Sequence, residues 1–199
     1  MKALRYFFCP VLLVVCLSWS ALAQEAPKAE MFGGYSYLRV NPGGRGDNIS
    51  AHGFNTSLAG NVTKSLGLVG EFSRFTQSES LNLGDLFNEP GLGTANVKAR
   101  VSTYLFGPRL TLRTGSAEPF VHALVGGARN SFESSVAGFS GKFSDNGFAY
   151  AVGGGLDVKL HNNFAIRLGQ LDYLRTKVAG EGLNSLRYSV GVVIRFGAR

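Results

Sequence analysis

The chain lacks cysteine outside its first segment. Cys9 and Cys16 both fall within the N-terminal apolar run, and cleavage before Gln24 would remove them. A mature chain without cysteine has no disulfide, no thiol nucleophile and no cysteine-based metal site. After that segment no run of 18 apolar residues occurs, so no helix can span a membrane, which takes about 20. No block of five or more like charges occurs either, and with it goes the usual mark of a nucleic-acid partner. No metal-ligand spacing stands out, and no nucleotide-binding loop. Gly153-Gly154-Gly155 sits inside an alternating stretch, where close packing explains it better than phosphate binding. No metal and no cofactor is expected.

What is present begins with an export address. Lys2 and Arg5 precede an apolar run over 6–17, and Ser20-Ala21-Leu22-Ala23 supplies the small residues that signal peptidase reads. Cys16 does not turn this into a lipoprotein signal, because Val15 stands where a small residue is needed. The expected organisation is a signal peptide over 1–23, a short leader over 24–29, one domain over 30–197 and a tail of 198–199. The mature chain of 176 residues carries 18 basic and 13 acidic residues, a modest excess of +5 that suits phosphate-bearing lipid headgroups.

The domain is written in period two. In the last stretch Leu186, Tyr188, Val190, Val192, Ile194 and Phe196 alternate with Arg187, Ser189, Gly191 and Arg195, the pattern of a strand with one oily and one polar face. Seven similar stretches precede it, giving expected strands at 30–40, 53–62, 65–76, 97–113, 119–132, 147–160, 164–176 and 185–197. Pro108 predicts an irregularity in the fourth strand. The facing of the fifth stays open, because small residues occupy both of its registers. In the seventh, Phe164, Ile166 and Leu168 share a face with Leu171 and Tyr173 only if a bulge near Gly169 resets the phase and turns Asp172 inward.

The connections sort by parity: roughly 12, 20, 14 and 8 residues for the odd ones and about 2 to 5 for the even ones. Membrane barrels have short turns on one side and long loops on the other, whereas a soluble sandwich has no reason for that alternation. The polar faces carry Glu71, Arg109, Arg113, Asp157, Lys159, Arg167, Asp172, Arg187 and Arg195. Were these outside, the aromatic bulk of eight strands would overfill an eight-stranded interior. The apolar face therefore meets lipid, the charges form a lumen network, and Tyr35, Tyr37, Phe54, Phe120, Phe148, Phe164, Tyr173, Tyr188 and Phe196 suit interfacial girdles. The fold expected is all-β, an eight-stranded antiparallel up-and-down transmembrane barrel.

With the Phe-Gly-Gly-Tyr-Ser-Tyr opening at 32–37, the penultimate strand over 167–173 and a final strand closing on Phe196, nearly all of 30–197 resembles the small eight-stranded outer-membrane barrels of the outer-membrane protein A and X type. The resemblance implies export to the bacterial outer membrane and contact with its lipid and lipopolysaccharide. It also implies insertion by the barrel-assembly machinery, with Tyr188, Val190, Val192, Ile194 and Phe196 as the assembly signal. The chain departs from that pattern in the Gly197-Ala198-Arg199 that follows the phenylalanine and in the absence of a peptidoglycan-binding domain.

Six basic against three acidic lumen residues leave two readings, a paired network that plugs the barrel or a narrow porin with an anion-biased lumen. Lys98 and Arg100 are candidates for headgroup phosphates. Arg45-Gly46-Asp47 in the first outer loop is an adhesion tripeptide placed where a host or surface ligand would meet it. Phe120-Val121-His122 looks like the start of the lipid A deacylase pattern, but Leu124 stands where that family has its serine. Without a serine beside a histidine there is no activated nucleophile, so a non-enzymatic barrel with a structural and surface-interaction role is expected.

Overall fold

The computed structural model describes residues 26–41, 49–82, 94–136, 139–178 and 181–197. The signal peptide, the start of the leader, the adhesion tripeptide and the last two residues lie outside these. Eight strands follow in chain order: β1 (Ala29–Asn41), β2 (Ile49–Asn61), β3 (Leu66–Asn82), β4 (Thr94–Thr111), β5 (Ala117–Val136), β6 (Phe139–His161), β7 (Phe164–Val178) and β8 (Glu181–Phe196). Each pairs antiparallel with its neighbour, and β8 pairs back onto β1, for example Ile194 with Met31 and Arg187 with Leu38. Closure leaves no strand edge, so the backbone of every strand can be satisfied inside the sheet.

The strands are longer than their apolar faces. β3 and β4 pair as far as Asn82 and Thr94, β5 and β6 as far as Val136 and Phe139, and β7 and β8 as far as Val178 and Glu181. The sequence pattern places loops over 77–96, 133–146 and 177–184; most of these residues instead prolong hairpins beyond the oily belt. Two-sided polar ribbons carry no apolar alternation, so hydrophobic periodicity cannot see them. At the other end β8 stops one residue early, where Gly197 takes a φ of 70° and turns the chain away.

Alternation holds through the belt. Met31, Tyr35, Phe54, Leu58, Tyr104, Phe106, Val121, Val125, Phe148, Val152, Leu171, Tyr188 and Phe196 point outward and are about half exposed. The inward face is fuller of apolar groups than expected. Leu38, Phe75, Leu105, Leu124 and Leu174 pack with alanines into one buried cluster, and Phe32 packs with Ala165 and Val193. β5 has Phe120, His122 and Leu124 inside and Val121 and Val125 outside. Phe120, expected in an interfacial girdle, is thus a lumen residue, only 3% exposed. Space for it comes from β6: a Cβ on Gly155 would lie 2.8 Å from the Phe120 ring, and one on Gly153 would meet the Asp172 carboxylate. That accounts for the glycine triplet by close packing.

Pro108 interrupts the β4–β5 ladder, which skips Gly107 and Pro108, but the register is the same on both sides of the gap. The seventh strand does contain the bulge. Register shifts occur between Leu156 and Asp157 against β6 and between Arg167 and Gln170 against β8, so Leu168 faces out while Gln170 and Asp172 face in. A bulge in lipid exposes a carbonyl that water cannot reach. The Tyr188 hydroxyl donates to the Leu168 carbonyl at 3.2 Å and its ring covers Gly169. Replacing Tyr188 by Phe leaves that acceptor unpaired and is expected to cost about 1–2 kcal/mol. Equilibrium urea unfolding in lipid vesicles measures it, and an unchanged midpoint would show the bulge carbonyl satisfied by other means.

Candidate functional site

Every strand sends a polar side chain into the lumen, and these meet in two tiers, with Arg109 of one and Arg167 of the other both against the Phe120 ring. Nearest the short turns, Glu30 of β1 accepts from Arg109 and, at 2.8 Å, from Arg113. Glu118 of β5 accepts from both terminal nitrogens of Arg195, at 3.2 and 2.6 Å. Arg113 also approaches Glu118 at 3.5 Å and Arg195 approaches Glu30 at 3.4 Å, so two carboxylates and two guanidiniums close a cycle.

The second tier is built around Arg167. Its guanidinium donates to both oxygens of Asp157, at 2.7 and 3.0 Å, and to the Gln170 side-chain carbonyl at 2.6 Å. The rings of Phe32 and Phe120 lie 4.2 and 4.3 Å from it. A planar, weakly hydrated cation suits that slot; an ammonium would not fill it. Gln170 passes the connection on by donating to Glu71 at 3.2 Å and to Asp172 at 2.8 Å. Asp172 in turn accepts from Arg187 at 2.6 Å and lies 2.8 Å from His122 Nε2. Arg187 also reaches Glu71 at 2.5 Å and donates to Ser73 at 3.2 Å. Asn55, from β2, donates to Glu71 at 3.1 Å.

Eight of the nine expected lumen charges are brought together. Lys159 is not: it pairs with the inward Ala165, but at the end of β6 beside the β6–β7 turn, where its side chain is exposed at the mouth of the bore. Glu30, Glu118, His122 and Gln170 join instead. Glu118 belongs to β5, not to the turn before it, and it shares parity with Phe120, His122 and Leu124. That is the signal that would have faced β5. Among the described residues the paired charges of the network are five arginines (109, 113, 167, 187, 195) against five carboxylates (30, 71, 118, 157, 172), and the network carries no excess of positive charge.

The outward face carries a second charged feature. Followed toward the loops, the first charged outward residue is Arg39 on β1, Arg74 on β3, Arg100 on β4, Arg129 on β5 and Arg175 on β7. On β2 the same level holds His52, whose ring meets Tyr35 and Tyr37. The apolar belt thus ends at the loop side in arginine. Lys98, half-buried, lies two residues further along β4.

A closed barrel with lipid-compatible walls and a balanced, packed interior defines a small transmembrane β-barrel. The chain belongs to the outer membrane protein beta-barrel domain family, whose profile matches residues 9–196, and its place is the bacterial outer membrane. No curated protein matches it. Among solved structures it is similar to Ail, the attachment invasion locus protein of Yersinia pestis, in complex with the heparin analogue sucrose octasulfate. The TM-score is 0.63 at 19% identity, covering 84% of this chain and 97% of that one. It is also similar to Neisserial surface protein A, with TM-score 0.61 and 12% identity, covering 87% and 100%.

Because Arg167 is enclosed by rings, its removal strands Asp157 in a dry slot. Arg167→Met is expected to destabilise the barrel by about 3–5 kcal/mol, and adding Asp157→Leu to recover part of that loss. Urea titration of the two variants in vesicles checks both signs; equal losses would mean that the pair is not coupled.

Proposed function

We propose that the chain is a non-enzymatic barrel with a structural and surface-interaction role, plugged by its lumen network and anchored among lipopolysaccharide molecules by its outer arginines. The observation that carries this reading is the arginine at the loop-side limit of the apolar belt on five strands. Guanidiniums at that level meet the phosphates of the outer leaflet, to which Arg binds with two parallel donors. The long polar hairpins beyond them offer surface to host or environmental ligands.

The anion-biased pore loses its support. That reading needs an excess of lumen arginine, whereas among the described residues five carboxylates balance five arginines in the network. Leu38, Phe75 and Leu174 add an apolar layer inside the wall, which water does not favour. The deacylase-like stretch on β5 does not assemble a nucleophile in the described lumen. His122 is buried against Asp172, and Leu124 packs in the core where a serine nucleophile would stand.

The outer-ring reading predicts that lipopolysaccharide stabilises the protein relative to a zwitterionic bilayer. Each arginine adds up to about 1 kcal/mol at low salt, and less as salt rises. Changing Arg39, Arg74, Arg100, Arg129 and Arg175 together to Gln should erase the difference in urea midpoint between the two bilayers. If the difference survives, phosphate is not what the ring holds.

The outward row Tyr188, Val190, Val192, Ile194 and Phe196 is proposed as the signal read by the barrel-assembly machinery. Phe196→Ala is expected to lower insertion in cells severalfold, and deletion of 197–199 to leave it unchanged. Quantifying the heat-modifiable folded form in outer-membrane fractions decides between them.

A further inference from the structure

We propose that the outer wall of β1–β5 holds one lipopolysaccharide molecule in a fixed pose, with one acyl chain in a groove over Gly70 and one lipid A phosphate between Arg74 and Arg129. This rests on the outer-ring reading above and gives it an address on the barrel.

The groove follows from register. Met31, Leu58, Gly70, Phe106 and Val125 form one cross-strand row, each paired with the next. Four of the five are large, outward and about half exposed. The fifth has no side chain, and a Cβ added at Gly70 would meet nothing within 4 Å. The row is notched at its centre. The notch is part of an open apolar groove of about 610 Å³ on the outer wall, lined by Leu58, Phe72, Phe106 and Val125.

The polar end is set by the same ladders. Arg74 and Arg129 both pair with Ser102, one from each side, which places their Cα atoms about 10 Å apart. Both side chains are exposed, and neither forms an ion pair with a described residue. Two guanidiniums at that spacing converge on a phosphate and supply paired donors to it. Arg74 lies four residues from Gly70 on β3, about 14 Å along the strand, comparable to half of a hydrocarbon core about 30 Å thick. An amphiphile with its phosphate at the arginines thus lays its chain over the notch.

A second copy of the chain is disfavoured by charge. A two-fold contact through this face brings the same patch of each copy together, setting arginine against arginine. An anionic lipid meets both halves of the site with complementary chemistry.

Native mass spectrometry of the full-length folded protein tests this, using bisphosphorylated lipid A, dephosphorylated lipid A and phosphatidylethanolamine as probes. The wild type is expected to retain one bisphosphorylated lipid A, at least tenfold in preference to the other two. Gly70→Leu, which fills the notch, and Leu58→Trp, which narrows it from β2, should each cut retention about tenfold while keeping heat-modifiable migration. Arg74→Gln with Arg129→Gln should abolish it, and Leu171→Phe on β7 should leave it unchanged. If both groove variants retain lipid A like the wild type while the five-arginine variant loses it, the groove is wrong and the ring stands. Retention by the five-arginine variant as well overturns both. Preferential retention of phosphatidylethanolamine, or a dimer abolished by Gly70→Leu, overturns the proposal in favour of that occupant.

Discussion

The interior of this barrel is closed, so the charges it encloses must neutralise one another. Eight strands leave room for side chains and little else, and a guanidinium or carboxylate taken from water into that space is tolerated only when paired and hydrogen-bonded. Among the described residues five arginines and five carboxylates meet the condition, with Gln170 joining the Arg167–Asp157 pair to the group in which Arg187 holds Glu71 and Asp172. Because the partners come from different strands, the network ties the cylinder together across its bore, which backbone ladders between neighbours cannot do.

The exterior follows from the same closure. With no edge to protect and no water to meet, the outward face can be oily along its whole belt, and the backbone needs attention only where the ladder fails. It fails at the β7 bulge, and there the Tyr188 hydroxyl and ring cover the exposed carbonyl and glycine. It is interrupted again at Gly107 and Pro108, a residue that has no donor to lose. Charge is then left for two places, the bore and the rim. The bore is balanced, while the described outward rim is arginine on five strands. One set of charges serves the fold, and the other lies on the outward face.

Much of this was legible in the chain, for identifiable reasons. Period-two alternation marks a strand whose two faces meet different media, so the strand count, the antiparallel order and eight of the nine lumen charges could be placed. The Gly169 bulge was legible because one phase change repairs the pattern of two apolar groups on β7. Where both faces are alike, parity is silent. β5 carries small or apolar residues in both registers, so Phe120 was placed outside and His122 and Glu118 were left out of the bore. The polar hairpins above the belt have no oily side, so strand and loop look the same there. Lys159 shows the converse limit, since alternation gives a side and not a depth: it pairs with the inward Ala165, yet at the mouth of the bore its side chain is exposed.

By itself, then, the sequence determined the barrel, its orientation to lipid and the kind of residue that fills it, since these depend on local alternation and on the arithmetic of eight strands. Tertiary structure alone decided which charges are partners and whether they balance. Arg195 and Glu118 are 77 positions apart and Arg109 and Glu30 are 79, and no local pattern couples residues across a closed bore. The notch at Gly70 was likewise decided only by register. A glycine in one strand becomes a groove when the residues paired on both sides of it are large.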